Sequence, residues 1–366
     1  MKYITEYRDK ELAKKLVADI AKEARPDRNY RLMEFCGGHT HVISRYGLEG
    51  ILPKNVRMIH GPGCPVCVMP IGRIDSAIEL ALEHGVILCT YADTMRVPAS
   101  KGLSLMKAKA QGGDIRMIYS AADCLDIARA NPDKNVVFFA IGFETTTPAT
   151  AVVLKQAKAE GLKNFFVFCN HVLTPPAMRH ILKNQEKVHI EGFVGPAHVS
   201  TIIGSEPYET FAKDYSKPVV IAGFEPLDML QSILMLIRQI NRGEAENEFT
   251  RAVRPEGNMK AIRMMEEVFA LRDSFEWRGL GSVPKSALKL SDAYSDFDAE
   301  KHFNLVYRSV PDNKACECGA ILRGEKQPSD CRAFGTVCTP ESPIGSCMVS
   351  SEGACAAYFT YGRHKR

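Results

Sequence analysis

The chain has 366 residues, 45% of them apolar and 25% charged, with a formal net charge of +4. These values exclude a disordered chain and predict two or three domains, because ordinary domains hold roughly 100 to 200 residues. Its basic runs, Lys14-Lys15 and Arg363-His364-Lys365-Arg366, are short and have no aromatic-rich stripe beside them, which argues against nucleic-acid binding.

Residues 1–10 contain no apolar signal core, and no apolar run approaches the ~20 residues that span a bilayer, so a cytoplasmic protein is expected. Thiols stay reduced in that compartment. Twelve cysteines there point to metal binding or redox catalysis more than to a framework of structural disulfides.

The periodicity predicts a first helix over 9–24, with Leu12, Leu16 and Ile20 on one stripe and Lys10, Lys14, Lys15 and Lys22 mostly off it. From residue 30 to about 240, short β-branched and aromatic runs alternate with helical patterns. The predicted strands are 31–35, 56–60, 86–91, 115–119, 136–141, 165–169, 192–194 and 219–222, and the intervening helices include 74–83, 121–130, 149–160 and 226–242. Such alternation implies an α/β fold with right-handed crossovers and parallel sheets covered on both faces.

An internal echo accompanies it. His60-Gly61-Pro62-Gly63-Cys64 resembles Val194-Gly195-Pro196-Ala197-His198, and Gly142-Phe143-Glu144 recurs at Gly223-Phe224-Glu225. Two related lobes facing one another would account for it. Each segment follows a predicted strand, and open α/β sheets collect ligands outside the carboxyl ends of their strands.

The alternation stops after Gly243. A charged helix at 259–271 and a loop-rich stretch at 277–298 lead into a cysteine-rich end. The expected division is a first α/β lobe over 1–130, a second over 131–245, and a loop-rich C-terminal domain over 246–366, interleaved with the N-terminal helix.

Chemistry-bearing residues gather on two glycine-rich turns. Cys36 is followed by Gly37, Gly38, His39 and His41, and Gly61-Pro62-Gly63-Cys64-Pro65-Val66-Cys67 carries a C-x-x-C at a strand end. That spacing lets two sulfurs reach one metal or form one disulfide, and a thiolate near a helix N-terminus is favoured by the local positive potential. His39 and His41 have three roles open to them: metal ligand, proton relay or helix cap. Glu144, in Gly142-Phe143-Glu144-Thr145-Thr146-Thr147-Pro148, either belongs to an anion-cradling turn or caps the following helix. His171 and His198 also end strands and are candidates for lining the cleft. Cys89 and Cys124 read as packed core thiols. No Walker-type or Gly-x-Gly-x-x-Gly motif supports nucleotide binding.

The C-terminal cysteines are Cys316, Cys318, Cys331, Cys338, Cys347 and Cys355, set among Gly319, Gly335, Gly345, Gly353, Pro340 and Pro343. Four thiolates suffice for zinc or for a 4Fe-4S cluster, and these spacings lack the short pairs of zinc ribbons, which favours iron–sulfur. Two cysteines remain over and suit a disulfide that exchanges electrons with the cluster.

Taken together, Cys36-Gly-Gly-His-Thr-His41, Gly61-Pro-Gly-Cys-Pro-Val-Cys67, Gly142-Phe-Glu-Thr-Thr-Thr-Pro148 and the run Pro340-Glu-Ser-Pro-Ile-Gly-Ser-Cys-Met-Val-Ser-Ser-Glu-Gly-Ala-Cys355 resemble the HypD family of nickel–iron hydrogenase maturation factors. The resemblance covers nearly the whole chain. It implies a scaffold with redox capability, more than a turnover enzyme, on which an iron carrying two cyanides and one carbon monoxide is assembled. The small chaperone HypC and the cyanide donor HypE, whose thiocyanate is made with HypF, are the implied partners. By the same resemblance Cys36 holds that iron jointly with a chaperone cysteine, His39 lies beside it, and Cys64 and Cys67 supply or shuttle electrons. Cys316, Cys331, Cys338 and Cys355 are the implied ligands of a 4Fe-4S cluster, with Cys318 and Cys347 as a redox pair. From the residues alone, an iron–sulfur thiol-disulfide oxidoreductase and a zinc-stabilised interaction protein remain open.

Overall fold

The computed structural model describes residues 5–184, 188–242 and 247–362; the basic run 363–366 and the expected boundary near residues 243–245 lie outside them. Among the described residues, eight parallel strands form two sheets: β1 (Tyr30–Glu34), β2 (Val56–His60), β3 (Ile87–Thr90), β4 (Ile115–Met117), β5 (Val136–Gly142), β6 (Phe165–His171), β7 (Gly192–Pro196) and β8 (Val219–Ala222). The first sheet has the order β2-β1-β7-β8 and the second the order β4-β3-β5-β6. Both are flanked by helices, as the alternation implied.

Sheet membership does not follow chain position. β3 and β4 lie before residue 130 yet share a sheet with β5 and β6 through the β3–β5 pairing, whereas β7 returns to pair with β1 and β8 adds beyond it. The second sheet is therefore inserted, in sequence, between the halves of the first. The first pair of echoing segments ends β2 and β7, which flank β1 in the same sheet, and the second ends β5 and β8, one in each sheet. Periodicity shows where strands are and not which neighbours they choose.

Every strand of the first sheet is covered on both faces. Tyr30, Leu32, Val194 and Val220 pack toward the helices Lys10–Glu23 and Pro226–Arg242, while Met33, Phe35, Phe193 and Ile221 face the opposite way. The second sheet alternates alike, with Phe138 and Ala140 on one face and Val137 and Phe139 on the other. One apolar cluster contains Met33, Phe35 and Phe193 from the first sheet, Val137, Phe139 and Phe168 from the second, and Trp277, Ile321, Met348 and Phe359 from the C-terminal region. A single core thus joins all three parts.

The region after residue 247 is more ordered than its composition predicts. The helix expected to reach 271 ends at Val268 and turns into β9 (Phe269–Leu271), which pairs antiparallel with β12 (Leu288–Leu290). The stretch read as loop, 277–298, holds β12 and also β11 (Gly281–Pro284), which forms a hairpin with the preceding β10 (Ser274–Trp277), turned by Gly279 and Gly281 at φ of 83° and 75°. Strands of three or four residues are too short to display a period. No helix among the described residues is long and apolar enough to cross a membrane.

A buried ion pair fastens this region to the second sheet. Arg73 donates to Asn170 Oδ1 at 2.5 Å and to Glu300 Oε1 at 2.6 Å, with its guanidinium 4.1 Å above the Phe168 ring. Arg272 pairs with the other Glu300 oxygen. Burial alone would raise the Glu300 carboxyl, but the two guanidiniums hold it down at about 2. Its stabilising contribution is present above its ordinary value of 4.5 and is lost as pH falls toward 2. Glu300→Gln is expected to cost about 3 kcal/mol in urea unfolding at pH 7, and the gap between variant and native chain should narrow below pH 4.5. A gap independent of pH would refute the assignment.

Candidate functional site

The carboxyl ends of both sheets open onto one cavity of about 520 Å³. Phe35, Cys36 and Gly63–Val66 reach it from β1 and β2, Tyr91–Thr94 and Ile118 from β3 and β4, Ile141–Phe143 from β5, and Pro196 and His198 from β7. Ser350, Ser351 and Glu352 of the C-terminal region close another side.

Cys36 is the N-cap of the helix Gly37–Tyr46, with extended backbone at φ −151° and ψ 127°. Its amide donates to Glu34 Oε2 at 3.0 Å, and Glu34, which is fully buried, also accepts from the Thr40 hydroxyl and from His60 Nδ1 at 3.0 Å. Burial lowers the affinity of His60 for its proton, but the bond to Glu34 and its charge outweigh that and raise its pKa overall. The turn after β2 is pressed against this one: Gly37 donates to the Gly63 carbonyl, and a Cβ on Gly63 would overlap the Cys36 amide. Glycine at 63 is required by this close approach.

The Cys36 thiol is pushed up to about 12, first by burial and then by the nearby Glu352 carboxylate; the amides of Gly38 and His39 pull only partly the other way. Glu352 is itself raised by burial and by Asp93 and Glu34. Facing Cys36, His198 Nδ1 lies 3.9 Å from its sulfur, and its ring stacks on Phe224 at 4.0 Å. Burial lowers the pKa of His198, which favours a neutral imidazole.

Cys64 caps the turn Pro65–Val68, its sulfur accepting from the Cys67 amide at 3.2 Å. Cys67 is fully buried, and burial followed by the hydrogen bond to Cys64 raises its thiol well above the usual range. Of the two, Cys64 lines the cavity and Cys67 points inward. There the Ser346 hydroxyl donates to the Cys67 carbonyl at 2.6 Å, bringing the C-terminal loops against this turn.

The other candidate side chains are held apart from the cavity lining. His39 is buried and donates through Nε2 to the Ala222 carbonyl at 2.8 Å, leaving Nδ1 without a partner. His41 packs edge-on against Tyr361 at 5.0 Å. His171 bonds the Thr150 hydroxyl at 2.8 Å, and burial lowers it to about 4. Glu144 accepts from the amide and hydroxyl of Thr174 at 2.9 and 3.1 Å and is pushed by burial to about 7, while its neighbours Phe143 and Thr145 line the cavity. Glu34, Asp93 and Glu352 were not singled out from sequence. The adjacency of Glu34 to Cys36 was the available signal for the first, and the position of Glu352 three residues before Cys355 for the last.

In the C-terminal region Cys318 and Cys347 are joined by a disulfide with Cα atoms 6.2 Å apart. Cys316, Cys331, Cys338 and Cys355 are free. Burial, followed by the electrostatic presence of Cys316, Cys338 and Cys331, raises the Cys355 thiol well above the usual range. A Cβ on Gly345 would overlap the Cys316 sulfur, and the Ile344 amide donates to the Cys338 sulfur at 3.4 Å. No group of three or more His, Cys, Asp or Glu among the described residues is closed tightly enough to hold a metal ion as it stands. The donor set nonetheless suits a soft metal or an iron–sulfur cluster in kind: four free cysteines set beside a glycine at 345 that leaves room for the Cys316 sulfur.

Fold and site together define a two-sheet α/β protein with a cysteine-centred cleft backed by a second cysteine cluster. The family model described as "HypD: Hydrogenase formation hypA family" matches residues 11–362. Proteins named hydrogenase maturation factor HypD from Cupriavidus necator, Rhizobium leguminosarum bv. viciae and Escherichia coli K12 are 65%, 62% and 45% identical to it. Those alignments cover 100%, 100% and 99% of this chain and 98%, 97% and 98% of the relatives. The chain belongs to the HypD family.

The electrostatics of Cys36 can be read chemically. With its thiol raised from 9.0 to about 12, at pH 8 it carries roughly a thousandth of the thiolate of an unperturbed cysteine. Iodoacetamide should therefore label Cys36 slowly, and Glu352→Gln should speed that labelling several-fold by removing the second cause, as followed by peptide mass spectrometry. Native labelling at the rate of free cysteine would contradict this account.

Proposed function

We propose that the chain serves hydrogenase maturation as the scaffold on which an iron bearing two cyanides and one carbon monoxide is assembled, working with other maturation proteins. The observation that carries this reading is the meeting of Cys36, Cys64 and His198 in one cavity at the ends of both sheets, with Cys67 linking that cavity to the C-terminal cysteines. The chaperone of the HypC type and the cyanide donor of the HypE type implied by the resemblance are the proposed partners.

The iron here is cargo. Cys36 would bind it through sulfur, and the soft thiolate suits a low-valent iron that keeps positions free for diatomic ligands. An iron cation would also offset the burial that otherwise keeps this thiol protonated. Neutral His198 faces the same point and would orient or ligate the cargo. The predominantly apolar walls, Phe35, Ile118, Ile141, Phe143 and Val199, limit access of water.

Cyanide release from a protein thiocyanate requires two electrons and one proton and leaves a thiol and a cyanide ion. The Cys64–Cys67 pair can furnish both electrons by closing to a disulfide with loss of two protons, one of which goes to the departing sulfur. A 4Fe-4S cluster held by Cys316, Cys331, Cys338 and Cys355 would supply single electrons to re-reduce that pair. Cys318 and Cys347 belong to the same core as Cys64 and Cys67 and would pass electrons on as a dithiol and disulfide.

The adjacency of Cys64 and Cys67 also favours a second reading, a thiol-disulfide oxidoreductase. Steady multiple-turnover reduction of a small disulfide, lost in Cys64→Ser, would support it. For the scaffold, the test is infrared spectroscopy in the cyanide and carbon monoxide stretching region, on protein purified without oxygen from cells making the whole maturation set. The bands are expected to vanish in Cys36→Ala while C-terminal iron and sulfide content stays at the native level. Unchanged bands in that variant would remove the reading.

A further inference from the structure

Arg278 lies where the two cysteine-bearing segments meet, and no role described above uses it. Its amide donates to the Val68 carbonyl at 2.8 Å, one residue beyond Cys67. Its neighbour Gly279 abuts Gly319, one residue beyond Cys318, and the Gly279 carbonyl accepts from Arg323. The residue is therefore clamped between the turn that carries the cleft pair and the loop that carries the C-terminal cysteines.

The side chain is only 2% exposed. Nε stands 3.1 Å from Asp312 Oδ1 as an ion pair but without hydrogen-bond geometry, and Nη2 has no partner. A guanidinium stays charged in proteins. Burying one with donors unspent is costly unless an anionic group is present in the working molecule. Burial lowers Arg278 itself, while Asp312 first and then Cys316 and Cys67 act to raise it; burial holds the Cys316 thiol up at about 11, and Arg278 acts to lower it.

We infer that Arg278 is the counter-cation of the C-terminal sulfur centre, directing its free N–H groups toward the sulfurs at Cys316 and Cys67 and stabilising the more negative, electron-rich state. This rests on the cluster reading given above. Arg278 is not among the residues that line the cavity, so it is a positioning and tuning residue. Its charge makes an electron easier to place on the centre, because reduction adds one negative charge within its reach. Asp312, the facing carboxylate, holds part of that charge in check.

The test is a redox titration of the full chain with its cluster, purified without oxygen and followed by electron paramagnetic resonance. Arg278→Gln should lower the midpoint potential so that reduction becomes about tenfold less favourable, about 59 mV for one electron. Arg278→Lys should retain most of the native value. Asp312→Asn should move it the opposite way, a response that loss of packing alone would not produce. It also decides the matter if Arg278→Gln fails to fold. Native chain that binds no iron or sulfide would overturn the cluster reading and this inference with it. A loaded native chain whose potential is unmoved in Asp312→Asn and in whichever Arg278 variants fold would overturn this inference alone.

Discussion

The buried Glu34 carboxylate is the contact on which the site depends. It accepts at once from the Cys36 amide, the Thr40 hydroxyl and His60 Nδ1, and so joins the end of β1, the first turn of the following helix and the end of β2. An unpartnered carboxylate in that position would be strongly disfavoured, so the three elements must be brought together before it can be buried. His60, held toward its charged form by Glu34, leaves that corner without a bare negative charge. Cys36 is fixed at the backbone, with its thiol left to face the cavity.

The thiols share one electrostatic circumstance. Cys36, Cys67, Cys316 and Cys355 are all raised by burial before any other cause. A protonated, buried thiol is a weak nucleophile and a weak ligand, which protects it until a cation arrives. The reactivity of such thiols is therefore held down until a nearby positive charge offsets their burial. One core contains Cys64 and Cys67 together with Cys318, Cys338, Cys347 and Cys355, and Cys316 and Cys331 pack against it.

Much of the architecture was legible. All eight parallel strands were foreseen within a few residues, because strands buried on both faces read as near-continuous apolar runs, as in Val136–Gly142. The strand order was not, since β1 accepts β2 on one edge and β7 on the other through backbone bonds that carry no side-chain signature. Cys36, Cys64 and His198 declared themselves by standing at strand ends. His39, His41, His171 and Glu144 stood in equally suggestive places and instead satisfy local hydrogen bonds or ring contacts away from the cavity lining. Whether a polar side chain faces a cleft or a neighbouring carbonyl is decided by packing between distant segments. The same reason hid Glu352, which reaches the site only because the C-terminal turn folds back onto Gly37.

The insertion of one sheet within the other has a consequence for synthesis. β3 through β6 are contiguous in sequence and can pair as soon as they leave the ribosome. β1 and β2 emerge first, yet the strand that covers the other edge of β1 follows β2 by roughly 130 residues, a wait of about 7 to 26 seconds at ordinary elongation rates. During that interval the glycine-rich turns and their thiols hang on an unfinished sheet with an open edge. Nascent chains of this topology thus present their cysteines to the cell, and to any chaperone or oxidant in it, well before the cleft that will shelter them exists.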